Sequence, residues 1–219
     1  MQTGLFQEPT ASEHCQIHDL GNAVLREYPR AFAPTEADAL LAILLDTIPW
    51  HQATLRIGGR TVEVPRLQCW MGDKQSLYGY SGMRLTPQPW SEPVQRIRVR
   101  VQELAGVEFN SVLLNYYRTG LDSVSWHADD EMELGPDPVI GSVSLGAERP
   151  FQLKPKRLSP DAPRTRHMRM DLGHGSLLVM DKGLQSNWQH QLPKIPGLEQ
   201  ARVNLTFRQI LTRASKPRD

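Results

Sequence analysis

Two histidines and one aspartate have the residue types and spacing of a metal site. His127 and Asp129 lie two residues apart in the segment SVSWHADDE, so on an extended backbone both side chains project to the same side. His190 follows 61 residues after Asp129, in the strand-like segment NWQHQL. Two imidazoles and one carboxylate form the facial triad that binds non-haem Fe(II) and leaves coordination positions open. The H-x-D pattern alone is weak, because a surface or capping pair explains it at least as well.

A second segment strengthens the metal interpretation. In ARVNLTFRQI, polar residues alternate with apolar ones, and the polar set is Arg202, Asn204, Thr206 and Arg208. This alternation predicts a strand with one face on the core. Guanidinium groups are almost never buried unpaired, so two inward arginines need an anionic partner, and a dicarboxylate suits their forked donors. The alternative is a pair of arginines bonded to the protein's own carboxylates on a solvated face, which leaves the His/Asp/His set unexplained.

In their order along the chain, these motifs resemble those of the AlkB family of Fe(II)- and 2-oxoglutarate-dependent dioxygenases. The matching positions are Asn115-x-Tyr117, His127-x-Asp129-Asp130-Glu131, His190 and Arg202-x-Asn204-x-Thr206-Phe207-Arg208. The last signature alone specifies five positions in seven. The similarity extends from about Phe32 to Leu211 and is greatest to the DNA-repair AlkB homologues, in stretches such as LYGYSG, LLNYYRTG and GSVSLGAERPF.

The resemblance implies a role for each matching residue. His127, Asp129 and His190 would hold Fe(II), and Arg202 would bind the distal carboxylate of 2-oxoglutarate. The further cosubstrate contacts that it implies are Asn115, Tyr117, Asn204 and Arg208. With O2 as the third reactant, an N-alkyl carbon would be oxidised, and loss of formaldehyde would restore the base. The protein itself would supply three ligands, an open face and a dry pocket.

An enzyme that acts on the pairing edge of a base must take that base out of the stack and hold it between flat side chains. The resemblance places Tyr78 and Tyr80 in the region that contacts the base. It places Asp130 and Glu131 near the base or the cosubstrate arginine, where carboxylates suit a cationic base such as 1-methyladenine or 3-methylcytosine. Solvated loop charge is an equally good interpretation of both carboxylates. Trp126 fits a pocket wall and a half-buried core residue equally well.

Phosphates would be bound by local positive charge, because the net charge of the chain is only +1. The basic residues expected to do so are Arg56, Arg60, Arg66, Lys154, Lys156, Arg157, Arg164, Arg166 and Arg169. In the hairpin LRIGGRTVEV, duplex-specialised relatives carry an aromatic wedge, whereas the matching position here is Gly58, followed by Gly59. A Gly pair predicts a tight turn instead of a wedge. The expected partner is therefore alkylated DNA, single-stranded or duplex, with RNA as a further possibility.

Three other functions stay open on the sequence. A 2-oxoglutarate oxygenase that acts on RNA or on a protein side chain would carry the same metal and cosubstrate motifs. A non-catalytic jelly-roll binding module would keep the fold, although the intact triad with both arginines argues against it. A metal-dependent cupin isomerase would have no need of Arg202 and Arg208.

The elements that must position these residues are two helices followed by many short strands. Apolar residues at helical spacing predict a helix after Pro34, with Thr35-x-x-Asp38 as a capping box, and a second helix from Glu92 to Leu104 that Ser91 caps and Gly106 ends. Strands are predicted at 110–118, 139–146, 150–154, 167–172, 175–180, 186–192 and 201–213. No helical pattern separates them. We therefore expect a mostly β fold, a double-stranded β-helix (jelly roll) with N-terminal helices packed on one face.

A chain of 219 residues suits a single domain. We expect a loosely attached arm over residues 1–30 that ends in a short strand around 23–28, a dioxygenase domain over 31–213, and a tail over 214–219. Within the domain, nucleotide-recognition hairpins would occupy about 50–90 and the jelly-roll core about 109–213. Two cysteines without a C-x-x-C motif suit a reducing cytosol, and no apolar run approaches membrane-spanning length. These features predict a monomeric cytoplasmic protein without membrane contact.

Overall fold

The computed structural model describes residues 14–74, 76, 78–80, 83–85, 87–156 and 167–211, and at 57, 78–80 and 83–85 it describes the backbone alone. The helices are α1 (Pro34–Thr47), α2 (Glu92–Ala105) and the single turn α3 (Leu184–Asn187). The strands are β1 (Gln16–Asp19), β2 (Val24–Tyr28), β3 (His51–Ile57), β4 (Arg60–Gly72), β5 (Tyr78–Tyr80), β6 (Met83–Leu85), β7 (Ser111–Tyr117), β8 (Val124–His127), β9 (Ile140–Gly146), β10 (Arg149–Pro155), β11 (Met168–Leu172), β12 (Ser176–Met180), β13 (Trp188–Leu192) and β14 (Arg202–Arg208).

Two antiparallel sheets form the core of the molecule. The larger has eight strands in the order β1-β2-β12-β9-β14-β7-β4-β3, and the smaller has four in the order β11-β10-β13-β8. Strand β14 lies inside the larger sheet, where it pairs with β7 on one side and β9 on the other. The predicted mostly β class and jelly-roll core are confirmed, and a strand lies in each of the seven predicted segments. Two of these predictions were too long: in 186–192 the strand starts only at Trp188, after α3, and in 201–213 it ends at Arg208.

Helices α1 and α2 cover the outer face of the larger sheet. Leu40 and Leu44 of α1 and Ile97 and Val101 of α2 are buried in one cluster with the apolar residues of β14. Because side chains alternate along a strand, the polar residues of β14 then point to the other side, between the two sheets. The packing of helices on one sheet face thus directs the Arg/Asn/Thr/Arg ladder into the interior of the jelly roll.

The ends of the helices agree with the sequence in part. Helix α2 ends as predicted at Gly106, whose φ of 73° is left-handed, a conformation that glycine adopts without strain. Ser91 is its N-cap residue, but the hydroxyl makes no capping hydrogen bond. The predicted capping box of α1 is wrong, since the N-cap is Ala33 and Thr35 lies inside the helix. Pro34 at the first helical position has a preset φ, and the helix therefore begins before Thr35. No helix in the described part of the chain is long and apolar enough to cross a bilayer.

Strands β1 and β2 belong to the larger sheet, which corrects the loosely attached arm, predicted for residues 1–30, over 16–28; residues 1–13 lie outside the described chain. The predicted strand around 23–28 is present as β2, which pairs with both β1 and β12. Arg26 fastens this edge: its guanidinium bonds the Asp181 carboxylate at 2.8 Å and donates to the carbonyls of Leu104 and Ala105 at 3.0 and 2.9 Å. The polar sequence hid this attachment because Asp181 lies 155 residues away.

Candidate metal centre and anion pocket

His127, Asp129 and His190 meet between the two sheets, and one potential ligand atom of each lies within 4.8 Å of the others. The pairing of β8 with β13 is irregular at this point. His190 is opposite His127 and Leu192 is opposite Val124, so β8 has one residue more than β13 over this stretch. Such a bulge changes which face a side chain occupies. Val124 and His127, three residues apart, consequently both line the cavity between the sheets.

Asp129 lies two residues beyond the end of β8. Two other side chains hold it. Nη2 of Arg208 pairs with Oδ1 of Asp129 at 3.0 Å, and the Asp129 backbone N–H donates to Oε1 of Gln185 at 2.9 Å. Burial alone would raise the pKa of Asp129, but Arg208 and the two histidines outweigh it and lower the pKa to about 2. The carboxylate is therefore ionised although it is buried.

Both imidazoles suit metal binding. Nδ1 of His127 lies 2.8 Å from the carbonyl oxygen of Ser125 and donates to it, so Nε2 is the ring nitrogen that a metal would use. His190 is buried, and burial, together with charge on His127, lowers its pKa to about 3. Its ring is therefore neutral at neutral pH. Two imidazole nitrogens and one ionised carboxylate fit Fe(II).

Arg202 lies at the opposite end of the same cavity and is 1% exposed. It donates to the carbonyl of Leu172 at 3.0 Å and to Oγ of Ser144 at 2.8 Å, and its Nε has no hydrogen-bond partner in the described ranges. Among the described residues, none of its partners is a carboxylate. Burial lowers its pKa to about 10, so it stays charged at neutral pH. Arg208 lies six positions after Arg202 along β14, or roughly 20 Å between Cα atoms, and the two arginines therefore serve different ends of the cavity.

Asn115 and Tyr117 of β7 form the wall beside Arg202. Oδ1 of Asn115 accepts from Nε of Arg66 at 2.7 Å and from Nε2 of Gln68 at 3.0 Å, which leaves the NH2 group of Asn115 as its available donor. Arg66 was predicted among the phosphate contacts, but it is only 7% exposed and lines the cavity. The reason is its register, because residues 66 and 68 of β4 share the inward face of the strand.

Asn204 also lines the cavity, but its hydrogen bonds are made within the sheet. Its NH2 group donates to Oγ of Ser142 and to the carbonyl of Val143, both at 2.8 Å. Its Oδ1 accepts from the hydroxyl of Thr206 at 2.9 Å. Ser142 was not predicted as a site residue. The alternation in GSVSLG, which puts two serines on one face of β9, was the sequence signal for it.

Comparison with known proteins decides the family. Residues 25–208 match the 2OG-Fe(II) oxygenase superfamily. The chain is 40% identical over 187 residues to Alpha-ketoglutarate-dependent dioxygenase alkB homolog 3 of Homo sapiens, which covers 84% of this chain and 65% of that protein. The chain belongs to the AlkB family. Over 190 residues, it is also 40% identical to DNA oxidative demethylase ALKBH2 of Mus musculus, covering 84% of this chain and 80% of that one.

The chain spans just under two thirds of the length of the human alkB homolog 3. Among solved structures, OsALKBH1 superposes on this AlkB-family chain with a TM-score of 0.56 and 17% identity, over 89% of this chain and all of the other. A likeness at that identity supports the fold alone. The predicted Fe(II), 2-oxoglutarate and O2 are the metal and cosubstrates of the superfamily, and the His/Asp/His set suits that metal.

The two acidic residues that follow Asp129 in this AlkB-family chain lie outside the cavity. The exposed carboxylate of Asp130 pairs with Nζ of Lys156 at 2.7 Å, and Glu131 is half-buried. Neither is among the described residues that line the cavity. Tyr78 and Tyr80 belong to the short hairpin of β5 and β6, and the positions of their side chains are outside what the structure describes.

Trp126 lies near basic residues and is not part of the cavity lining in the described chain. Nζ of Lys154 lies 4.4 Å from its ring centroid, and the His167 ring lies 6.1 Å away. Lys154 and Arg169, the first and last residues of the predicted basic loop, lie in β10 and β11. Arg169 pairs with Asp171 at 2.9 Å, and Arg157, Arg164 and Arg166 lie outside the described residues.

The hairpin of β3 and β4 has the tight turn that the sequence predicted. Ile57 pairs with Arg60, and the two residues between them, Gly58 and Gly59, have φ values of 57° and 79°. Two left-handed residues in a two-residue loop define the type I′ turn of β-hairpins. Arg56 and Arg60 are exposed beside it.

Proposed function

We propose that this protein is an Fe(II)- and 2-oxoglutarate-dependent dioxygenase that removes N-alkyl groups, such as those of 1-methyladenine and 3-methylcytosine, from bases in DNA. One observation carries the proposal: a single cavity has the His127, Asp129 and His190 triad at one end and the buried cation of Arg202 at the other. The substrate class is supported by relatives such as the mouse DNA oxidative demethylase.

The charges of the cavity favour a dianionic cosubstrate. Arg66, Arg202 and Arg208 line it, whereas Asp129 is the one carboxylate among its described lining residues. A divalent cation would add further positive charge. Because unbalanced charge is costly in a water-poor site, a dicarboxylate is favoured there over a neutral or monoanionic ligand.

Residues at the two ends of the cavity have different roles. When bound, Fe(II) and 2-oxoglutarate supply the O2-dependent oxidation of the alkyl carbon. His127, Asp129 and His190 hold the metal, and Arg208 keeps the Asp129 carboxylate ionised and oriented. Arg202 binds the distal carboxylate of the cosubstrate beside Asn115 and Tyr117. The apolar lining that excludes water consists of Leu113, Val124, Phe151, Leu172, Met180 and Leu192.

We further propose single-stranded DNA as the preferred substrate. In the duplex-specialised relatives, a side chain at the hairpin tip fills the space of the extruded base. Here the tip consists of Gly58 and Gly59, which have no side chain to insert. An unpaired strand needs no such wedge, and its bases are less costly to unstack.

The test is a repair assay with iron-loaded protein. The protein is loaded anaerobically with Fe(II) and then mixed with 2-oxoglutarate, ascorbate, air and matched single- and double-stranded oligonucleotides that contain 1-methyladenine or 3-methylcytosine. We expect the loss of one methyl group by mass, coupled to succinate formation, and faster repair of the single strand. The variants His127→Ala, Asp129→Ala and Arg202→Ala, once shown to be folded, should each lose at least about 100-fold in rate.

Other outcomes lead to different conclusions. Succinate formation without DNA repair would contradict the DNA assignment and direct the search to RNA or protein substrates. No product from folded, iron-bound protein would overturn the dioxygenase assignment and favour a binding module. Normal repair by any of the three variants would remove that residue from the site.

A further inference from the structure

Arg149 is a fully buried cation that the proposed mechanism leaves unused. It is 1% exposed and does not line the cavity. Its guanidinium donates to the backbone carbonyls of Pro193 at 2.7 Å, Asp122 at 3.0 Å and Thr119 at 3.4 Å, and its Nε has no partner within the part of the chain that the structure describes. The Asp122 carboxylate is hydrogen-bonded to Arg118 and acts on Arg149 through its charge. Buried cations normally form a direct pair with a carboxylate, whereas the hydrogen bonds of Arg149 go to neutral carbonyls, so its charge can also stabilise an anion bound nearby.

Arg149 and Arg202 approach the same two residues from opposite sheets. Arg149 pairs with Leu172 across β10 and β11, and Arg202 donates to the carbonyl of Leu172 at 3.0 Å. Cζ of Arg149 lies 5.8 Å from the ring centroid of Tyr117, and Tyr117 is the register partner of Arg202. The two guanidinium groups therefore flank Tyr117 at one end of the jelly roll.

The hydrogen bonds of Arg149 also close this end of the molecule. Its acceptors belong to the loop between β7 and β8 and the loop between β13 and β14. These loops bond each other: the Gly120 N–H donates to the Leu198 carbonyl at 2.6 Å, and the Gly120 carbonyl accepts from the Ile195 N–H at 2.8 Å. The contact leaves no room for a side chain at residue 120. Arg149 thus ties β10 to the two loops beside Arg202.

We infer that Arg149 is a positioning residue for 2-oxoglutarate, which adds a second positive charge behind the distal carboxylate and holds Tyr117 and the closing loops in place. The inference rests on the proposed function, in which Arg202 binds that carboxylate. In a water-poor interior, a charge acts over a longer distance than in solvent. The two cations repel each other when the cavity has no ligand, and a carboxylate beside Arg202 relieves that repulsion.

If Arg149 only held the two loops in place, its replacement would weaken the binding of every ligand of the cavity alike. The test therefore compares a ligand that has a distal carboxylate with one that has none. Ligand binding to Mn(II)-loaded protein is measured without turnover, from the relaxation that Mn(II) causes in the ligand protons. The ligands are 2-oxoglutarate and pyruvate, which has the 2-oxo acid group but no distal carboxylate. The variants are Arg149→Met and Arg149→Lys. Arg26→Met is the matched control, because Arg26 also donates to two backbone carbonyls but pairs with the Asp181 carboxylate, whereas Arg149 lies against Tyr117.

We expect Arg149→Met to weaken 2-oxoglutarate binding by at least about 10-fold and pyruvate binding by less than about 2-fold. Arg149→Lys keeps the charge and should recover most of the affinity for 2-oxoglutarate. Arg26→Met should change the affinity for neither ligand. Unchanged affinity in Arg149→Met, an equal loss for both ligands, or a Lys variant as weak as the Met variant would overturn the inference. If Arg149→Met does not fold, Arg149→Gln takes its place in the same comparison. Wild-type protein that fails to bind 2-oxoglutarate would overturn the proposed function instead, which keeps the two failures distinct.

Discussion

Asp129 is held from two sides by the chain itself. Arg208 of β14 pairs with the Asp129 carboxylate, and the side-chain oxygen of Gln185 in α3 accepts a hydrogen bond from the Asp129 backbone N–H. The first contact stabilises the negative charge, and the second fixes the backbone just beyond β8, where no strand pairing does so. A ligand held in this way loses little freedom when it binds a metal, and such supporting contacts commonly set metal affinity.

Replacing Gln185 should therefore weaken metal binding. In Gln185→Met, the Asp129 N–H loses its acceptor while the side-chain volume is kept, and we expect Mn(II) to bind about 10-fold more weakly. The measurement is a Mn(II) titration followed by electron paramagnetic resonance. Gln102→Met is the control, because the Gln102 side chain likewise accepts a backbone N–H, that of Phe109, at 2.9 Å and does not line the cavity. An equal effect of both substitutions would contradict a specific role for Gln185.

Strand β4 joins the cavity to an exposed hairpin tip. Its C-terminal half pairs with β7 over Leu67–Gly72, while its N-terminal part pairs with β3 alone. The same element therefore carries Arg66 in the cavity wall, Gln68 hydrogen-bonded to Asn115 of that wall, and Gly59 next to its start at the tip. A change at the tip alters what the hairpin can insert into a nucleic acid and leaves the metal site unchanged.

Gly58→Phe should shift the strand preference toward duplex DNA. The added ring can occupy the space of an extruded base, and we expect the ratio of duplex to single-strand repair to rise by about five-fold. The left-handed φ at residue 58 should cost about 1 kcal/mol of stability. The ratio is measured with matched oligonucleotides, and Gly59→Phe, which bears the same kind of strain, is the control. An unchanged ratio in Gly58→Phe would remove the tip from substrate selection.

At the scale of the whole molecule, the core between the larger sheet and its two helices stabilises the protein against global unfolding. Cys69 of β4 lies in this core and is 1% exposed. Burial raises the pKa of its thiol from the ordinary 9.0 to about 11. The thiol is therefore protonated in the folded protein at every pH at which the enzyme would be assayed. The monomeric state and the cytoplasmic location stay predictions.

Cys69 should make stability fall in alkaline solution. Below pH 9 the thiol is protonated in both states and contributes no pH dependence. Between pH 9 and 11 the unfolded chain ionises first, so the free energy of unfolding should decrease by up to about 1.4 kcal/mol per pH unit. Urea unfolding across this range measures the slope, and Cys69→Ala should reduce it.

Thiol labelling at pH 8 provides the companion control. In Cys15→Ser, the remaining Cys69 thiol should react with a thiol reagent only at the rate of global unfolding. Fast labelling of Cys69 in folded protein would contradict the burial of this core.

The sequence by itself determined the chemistry of the site and most of the elements that carry it. His127, Asp129 and His190 have the residue types of one metal site, and the alternation in β14 predicted an inward polar face. Helices α1 and α2 and the strands after residue 109 follow from the period of their apolar residues. All of these signals are local, because residue type and spacing along one segment determine them.

Only the tertiary structure decided which groups support that chemistry. Arg66 forms a cavity wall instead of a phosphate contact, Gln185 holds a metal ligand, and Arg149 lies behind Tyr117. The bulge in β8 that directs His127 inward is likewise a property of its pairing with β13. Each of these facts depends on strand register and on how two sheets pack, which are relations between residues far apart in the chain. A periodic pattern within one segment contains no information about such distant partners, and they are therefore known only once the chain has folded.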